Sequence, residues 1–329
     1  MRRRELIALL GGAAVFCPLA ARAQQSAPIR PLIGLLSPLS AKAATRNIAA
    51  FRSALRDFGY LEGRDLTLAL RYGDGAAERM PSLARELVGL KPDVLFGGSF
   101  SGALAAHAAT STIPIVTITA EDPVKAGLAD SIARPGKNIT GTWLLGADAL
   151  VGKRLEFLKL AVPGIARVGT VLNPDDPTDA VTALRLPAAA NALGITLSVF
   201  EVRDASRLKE LPAEIARTGV QGLFVGQGPT INTARAEIAA LAARLRLPAV
   251  FGFREFADAG GLMSYGPNLP DTYRQSARLV HRILKGANPA DLPFELPTRY
   301  ELIVNLRTAK AIGLNIPEAF LLLVDEVIE

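Results

Sequence analysis

Residues able to do chemistry are sparse in this chain. Two histidines, His107 and His281, and one cysteine, Cys17, occur in 329 residues. A metal centre built on sulfur needs several thiolates, so it is excluded, and any histidine-based site would have to be assembled around a single ring. The turn Gly97-Gly98-Ser99-Phe100-Ser101-Gly102 lies between an apolar run and a helical stretch, where backbone amides and the helix dipole suit a carboxylate or another anion. Read as a plain tight turn, it would use Ser99 or Ser101 as a helix cap. It is not a dinucleotide fingerprint, because it follows the third strand of the pattern and not the first. It is not a nucleophile elbow either: around Ser99 the required final glycine is Ser101, and no histidine is placed to activate the hydroxyl. The chain contains no G-x-x-x-x-G-K-[ST] phosphate loop.

Ligands of open parallel sheets bind beyond the carboxyl ends of the strands, which directs attention to the residue after each apolar run. These positions hold Ser37, Ser99 to Ser101 and Glu121-Asp122 in the first half, then Asn173, Asp175, Gln227, Phe253 and Tyr265 in the second. Asp122, before Pro123, suits a ligand ammonium or a cap on the segment that follows, with Glu121 and Asp175 the next acidic candidates. Asn173 offers a donor and an acceptor, although Asn-Pro is also a standard turn. Phe100, Phe253 and Tyr265 can flank an apolar ligand group or fill core. His107 and His281 fall in predicted helices and read as structural residues. No catalytic group, metal or cofactor is expected.

The elements that must position these residues follow from periodicity. Residues 32–36 (LIGLL) form a short continuous apolar run, as a parallel strand buried on both faces does, and 45–57 then show helical spacing. Strands at 65–71, 93–97 and 113–118 alternate with helices at 78–90 and 101–110. The rhythm restarts after Trp143, with helices at 148–161, 179–192, 206–217 and 231–245 and strands at 166–172, 195–201, 220–226 and 248–251. A strand at 261–265, a helix near 271–285, an extended stretch at 299–304 and a helix at 306–312 make up the tail. This β-α alternation predicts two α/β units of similar size, each a right-handed parallel sheet covered by helices on both faces. They join near 138–147, and the tail threads back between them.

Half the chain is apolar and 21% is charged, so it can bury a large core. Residues 1–23 read as a signal peptide: Arg2 to Arg4, an apolar stretch over 6–17 and an Ala21-Arg22-Ala23 cleavage site. Arg3-Arg4-Glu5-Leu6-Ile7 fits the twin-arginine pattern, with an ordinary Sec signal as the alternative, and both place the protein in the periplasm. The apolar stretch is too short for a membrane anchor, and Phe16 disfavours lipid attachment at Cys17. Cleavage removes four arginines and one glutamate, lowering the formal charge from +6 to +3. That mild charge does not call for a nucleic-acid partner. A cysteine-free mature chain suits an oxidising compartment.

Several stretches together resemble one family: Asp122-Pro123-Val124, Ala133-Arg134-Pro135-Gly136-Lys137-Asn138-Ile139-Thr140-Gly141, Lys153-Arg154-Leu155-Glu156, Arg254-Glu255-Phe256, Ala259 through Gly266, and Ile283-Leu284-Lys285-Gly286-Ala287. Leu302 to Leu306, Thr308-Ala309-Lys310 and Asp325 to Ile328 extend the likeness to the end. It is a resemblance to ABC transporter substrate-binding proteins related to tryptophan- and tyrosine-binding components. Trp143 departs from it, standing where a small polar residue is usual. The resemblance implies a type I periplasmic-binding-protein fold: two Rossmann-like lobes, three crossovers and a ligand trapped by hinge closure. The lobes are expected at 28–142 plus 268–297 and 143–266 plus 300–329, with hinge segments near 142–145, 266–269 and 297–301. Residues Ser37, Ser99, Phe100, Ser101, Asp122, Asn173, Gln227, Phe253 and Tyr265 are the expected ligand contacts. The expected partners are a small molecule, an aromatic or branched amino acid above other carboxylates, and an inner-membrane permease, with the protein a monomer. A periplasmic sensor that presents its bound form to a receptor, and a secreted α/β hydrolase, are the competing readings.

Overall fold

The computed structural model describes residues 30–144 and 147–329, with side chains omitted at 147–149. The expected signal peptide, with Cys17, residues 28 and 29 of the expected first lobe and residue 145 of the expected hinge segment lie outside the described residues. The first unit is a five-stranded parallel sheet of β1 (Leu32–Ser37), β2 (Thr67–Tyr72), β3 (Val94–Gly97), β4 (Ile115–Thr119) and β5 (Ile139–Trp143), ordered β2-β1-β3-β4-β5. Its helices are α1 (Ala41–Asp57), α2 (Met80–Gly89) and α3 (Phe100–Ala109). The second unit begins with α4 (Ala147–Ala161) and alternates β6 (Arg167–Leu172), α5 (Pro177–Ala192), β7 (Thr196–Glu201), α6 (Leu211–Thr218) and β8 (Gly222–Val225). It continues through α7 (Pro229–Thr233), α8 (Arg235–Arg244), β9 (Ala249–Phe251), α9 (Arg254–Asp258) and β10 (Met263–Pro267). After α10 (Leu269–Leu284) the chain adds β11 (Tyr300–Asn305), α11 (Leu306–Ile312), α12 (Glu318–Leu321) and β12 (Glu326–Ile328). The second sheet runs β12-β11-β10-β9-β8-β6-β7.

The expected α/β architecture of two lobes built on parallel sheets is present. One pairing differs: β11 runs antiparallel to β10, because the chain re-enters the second sheet after its excursion through α10. Strand β5 was expected only as joining segment. It carries Thr140 and Thr142, both buried, in place of an apolar run, and Gly141 lies so close to β4 that a Cβ there would sit 2.0 Å from the Thr117 carbonyl oxygen. The helix expected over 231–245 breaks into α7 and α8 at Ala234, and the one expected over 206–217 starts as a 3₁₀ turn at Ala205–Lys209.

Helix α1 is capped by Ser40, whose Oγ accepts from the Ala43 amide at 3.2 Å, and it buries Ala44, Ile48, Phe51 and Leu55 at helical spacing. Phe51 stacks on Phe96 of β3 at 4.9 Å, and Tyr273 of α10 meets the same ring edge-on at 5.2 Å. Thus α10, which follows β10 of the second sheet, packs in the core of the first lobe. The three crossings of the chain are tied together. Trp143 N–H donates to the Glu295 carbonyl at 2.8 Å, Tyr300 Oη to the Leu144 carbonyl at 3.0 Å, and Asn268 Nδ2 to Glu301 Oε1 at 3.1 Å. Among the described residues no helix is long and apolar enough to cross a membrane.

Gly141→Ala forces a backbone clash, so it is expected to cost about 2 kcal/mol or more in urea unfolding. Gly152→Ala, in α4 with open space at its Cβ, should instead add up to about 1 kcal/mol, because alanine restricts the unfolded chain and favours helix. Equal effects of the two changes would contradict the β4–β5 pairing.

Candidate functional site

The carboxyl ends of the two sheets face each other across a cavity of about 60 Å³. Its first-lobe wall is Pro38 and Leu39 after β1, Asn47 of α1, Gly98 to Phe100 after β3, and Tyr273 of α10. The second-lobe wall is Thr178 of α5, Gln227, Pro229 and Asn232 after β8, and Phe253 after β9. The lobes meet around it. Thr230 Oγ1 donates to the Gly75 carbonyl at 2.7 Å, and Arg46 of α1 pairs with Asp258 of α9 at 2.8 Å.

Local chemistry explains the Gly/Ser turn. Ser99 is the N-cap of α3, its Oγ accepting from the Gly102 amide at 3.0 Å and lying 3.0 Å from Ser101 Oγ. A Cβ on Gly98 would stand 2.6 Å from Tyr273 Oη, so only glycine lets the tyrosine reach the turn. The first amides of a helix have no intrahelical acceptor, which leaves those of Phe100 and Ser101 available beside the cavity with the positive end of the helix dipole.

The opposite wall rests on buried charge. Arg154 is fully buried, donates through Nε to the Tyr265 carbonyl at 2.7 Å and through Nη2 to Gln227 Oε1 at 2.9 Å. Burial pulls its guanidinium down to about 9, so it stays charged at neutral pH. With Oε1 committed to Arg154, Gln227 keeps its Nε2 donors for whatever occupies the cavity. Asp179, also fully buried, accepts from the amides of Asn173, Gln227 and Gly228 at 2.7–2.9 Å. Burial raises its pKa, against the pull of those amides and of Arg154. Asp176 caps α5 through Oδ1, while its buried Oδ2 has no partner, and burial together with the charge of Asp179 pushes this carboxyl up to about 7.

Of the ligand contacts expected from sequence, Ser99, Phe100, Gln227 and Phe253 line the cavity, and Ser101 stands behind Ser99. The structure does not bring the others to its wall. Ser37 is buried one residue short of it, its Oγ accepting from the Leu39 amide. Asp122 Oδ1 caps its own turn, accepting from the amides of Val124 and Lys125 at 2.8 and 3.2 Å. Asn173 Nδ2 donates to Thr230 Oγ1 at 3.0 Å and so backs the bond that Thr230 makes to the first lobe. The Tyr265 ring packs edge-on against Phe157 at 4.9 Å. Of the reserve acids, Asp175 pairs with Arg203 on an exposed face, and Glu121 is not on the wall. Trp143 is half-buried at the edge of the first-lobe core, away from the wall. Asn47, Asn232 and Tyr273 were not expected. Asn47 had a readable signal, a polar side chain on the buried face of an amphipathic helix; Tyr273 looks like ordinary core. Among the described residues, no group of three or more His, Cys, Asp or Glu side chains could hold a metal ion.

The family model for ABC transporter substrate binding protein matches residues 32–328. The chain belongs to that family. A curated relative of this substrate-binding protein, the tyrosine-binding protein of Clostridioides difficile (strain R20291), is 24% identical over 266 residues, which are 80% of this chain and 76% of that one. A conserved domain protein of Vibrio cholerae superposes with a TM-score of 0.82 at 26% identity, covering 90% of this chain and 99% of the other. The ABC domain in complex with L-Trp from Streptococcus pneumonia gives 0.82 at 21% identity over 91% and 100% of the two chains. The ligand-free, open structure of CD0873 from Clostridium difficile gives 0.63 at 23% identity over 88% and 96%. Two of these relatives are named for binding, the tyrosine-binding protein and the substrate binding protein CD0873, and a third was solved with L-Trp.

Two predictions come from the buried charges. Arg154→Met should destabilise the protein by about 3 kcal/mol or more in urea, since it strips Asp179 of its counter-charge and Gln227 of its anchor. The Asp176 carboxyl holds its proton more tightly folded than unfolded. Its contribution to stability is therefore full below the unfolded pKa near 4 and is lost as pH rises through about 7. Asp176→Asn keeps a capping side chain and removes that titration, so the variant should be more stable than the parent at pH 8 and show a flatter stability profile between pH 4 and 7. A variant less stable at pH 8 would refute the assignment.

Proposed function

We propose that this protein is the periplasmic solute-binding component of an ABC importer, capturing a small carboxylate-bearing amino acid with an aromatic or branched side chain and delivering it to an inner-membrane permease. The observation that carries this reading is the inter-lobe cavity, in which anion-suited donors and an apolar wall are contributed by both lobes. The ligand carboxylate is received by the α3 amides at Phe100 and Ser101 and by Gln227 Nε2, a charge-assisted arrangement at a helix N-terminus. Phe100, Phe253 and the Tyr273 ring, which line the cavity, enclose the side chain. Support for the ligand class comes from the relatives, one named for tyrosine and one solved with L-Trp. Support for trapping by closure comes from the inter-lobe contacts and from the higher TM-score against the L-Trp complex than against the ligand-free, open structure.

In this reading the lobes are 28–142 plus 268–297 and 143–266 plus 300–329, turning about the segments near 142–145, 266–269 and 297–301. The mature protein works as a monomer. Thermal-shift measurements across the twenty amino acids, simple sugars and purines test the ligand class. L-Tryptophan, L-tyrosine or a branched amino acid should raise Tm, since a ligand at a hundred times its Kd adds about 2.7 kcal/mol to the folded state. Stabilisation by sugars or purines alone would overturn it. Small-angle scattering tests closure: a saturating ligand should lower the radius of gyration, and identical curves with and without it would count against a clamp.

A further inference from the structure

The proposed function leaves the ligand's ammonium without a receiver, because Asp122 does not line the cavity and its Oδ1 caps its own turn. A different acceptor is built into the cavity. Asn47 of α1 lines it, is 3% exposed, and its Oδ1 is buried with no hydrogen-bond partner. A buried carbonyl left without a donor is costly, so such a group is retained where something else supplies the donor. The neighbouring amphipathic positions Ala44, Ile48 and Phe51 are apolar core, and nothing in that core asks for an amide.

A carboxylate stands on the facing lobe. Glu255 of α9, two residues beyond the wall residue Phe253, has a buried Oε1 without a partner, and burial raises its pKa. Its charge is felt by Tyr273, which lines the cavity with Asn47. Two cations from its surroundings favour the ionised Glu255: Arg46, which also pairs with Asp258, and Arg235, which donates to the neutral Asn232 carbonyl at 3.1 Å. Asp258, the remaining charge nearby, is an anion and disfavours the ionised carboxylate. Neither cation donates to Glu255 Oε1.

Resting on the amino-acid reading above, we infer that the cleft selects ligands carrying a primary ammonium, which donates to Asn47 Oδ1 while the Glu255 carboxylate supplies the counter-charge from the other lobe. Asn47 lines the cavity from the first lobe and Glu255 stands outside the lining on the second, so contact and counter-charge come from different lobes and recognition is completed only on closure. The carboxylate subsite at α3 and this ammonium subsite then fix the α-carbon between them, with the side chain left to the aromatic wall.

Isothermal titration of the mature protein with L-tryptophan and L-tyrosine, and with the des-amino acids 3-indolepropionate and 3-(4-hydroxyphenyl)propionate, tests this. Glu255→Gln, which keeps the side-chain shape, and Asn47→Ala should each weaken the bound amino acid about tenfold or more, the effect of losing one charge-assisted contact. The des-amino acids should bind the parent more weakly or not at all, and any measurable affinity should change less than about twofold in either variant. Asn47→Ser serves if Asn47→Ala does not fold. Parent protein that binds the amino acid while both variants match it overturns the inference alone. So does equal weakening of amino acids and des-amino acids, which would mark a structural role. Parent protein that binds no amino acid overturns the functional reading itself.

Discussion

Two opposite charges taken out of water, Arg154 and Asp179, are the constraint around which the second lobe is organised. Each is fully buried, and neither is tolerable alone, since an isolated buried ion loses several kcal/mol of hydration. What makes them affordable is backbone. Asp179 gathers the amides that follow β6 and β8, and Arg154 takes the carbonyl in β10 and the side chain of Gln227. The ends of three strands are thereby held at one place, and that place is the wall of the cavity. The glycines follow from the same requirement: a Cβ at Gly226 or Gly228 would fall 2.5–2.9 Å from the carboxylates of Asp179 and Asp176.

The first lobe meets this wall with a different device. No buried ion is placed at the turn after β3; a helix start, two hydroxyls bonded to one another and a glycine pressed against a tyrosine shape it. The asymmetry has a physical logic. A rigid, pre-paid network on one side orients Gln227, while the other side offers unpaired amides and the Asn47 carbonyl, groups whose hydrogen bonds remain to be made. Closure joins the two halves through few polar contacts, Thr230 to Gly75 and Arg46 to Asp258, the latter exposed and worth little by itself. Weak inter-lobe contacts suit the trapping proposed above, because a ligand can shift an equilibrium only when the closed state is not already overwhelmingly favoured.

The path of the chain matters to this mechanics. Because α10 leaves the second sheet to pack on α1 and β3, and β11 then returns, the wall residue Tyr273 belongs to the lobe opposite the strand that precedes it. In the clamp proposed above, rotation of the lobes would carry Tyr273 with Asn47 and Phe100, and move all three relative to Phe253 and Gln227.

Sequence by itself determined the alternation of strand and helix, the division into two α/β units and the turn at Ser99, because continuous apolar runs, 3.6-residue periodicity and Gly/Ser punctuation are local properties. It also reached Phe100, Gln227 and Phe253, since the rule that ligands sit past strand ends needs only strand positions. Strand β5 escaped because its buried threonines, Thr140 bonded to the Leu292 carbonyl and Thr142 beside it, do not register as an apolar run. The distinction between Asp122 and Asn47 was decided only by tertiary structure. An acid at a strand end looks like a ligand contact until its Oδ1 is seen to cap its own turn, and an asparagine on the apolar face of a helix shows that it is buried but not what it faces. Whether a polar atom is satisfied is a property of everything packed around it, and that packing is made by segments more than 200 residues apart in the chain, such as α1 and α10.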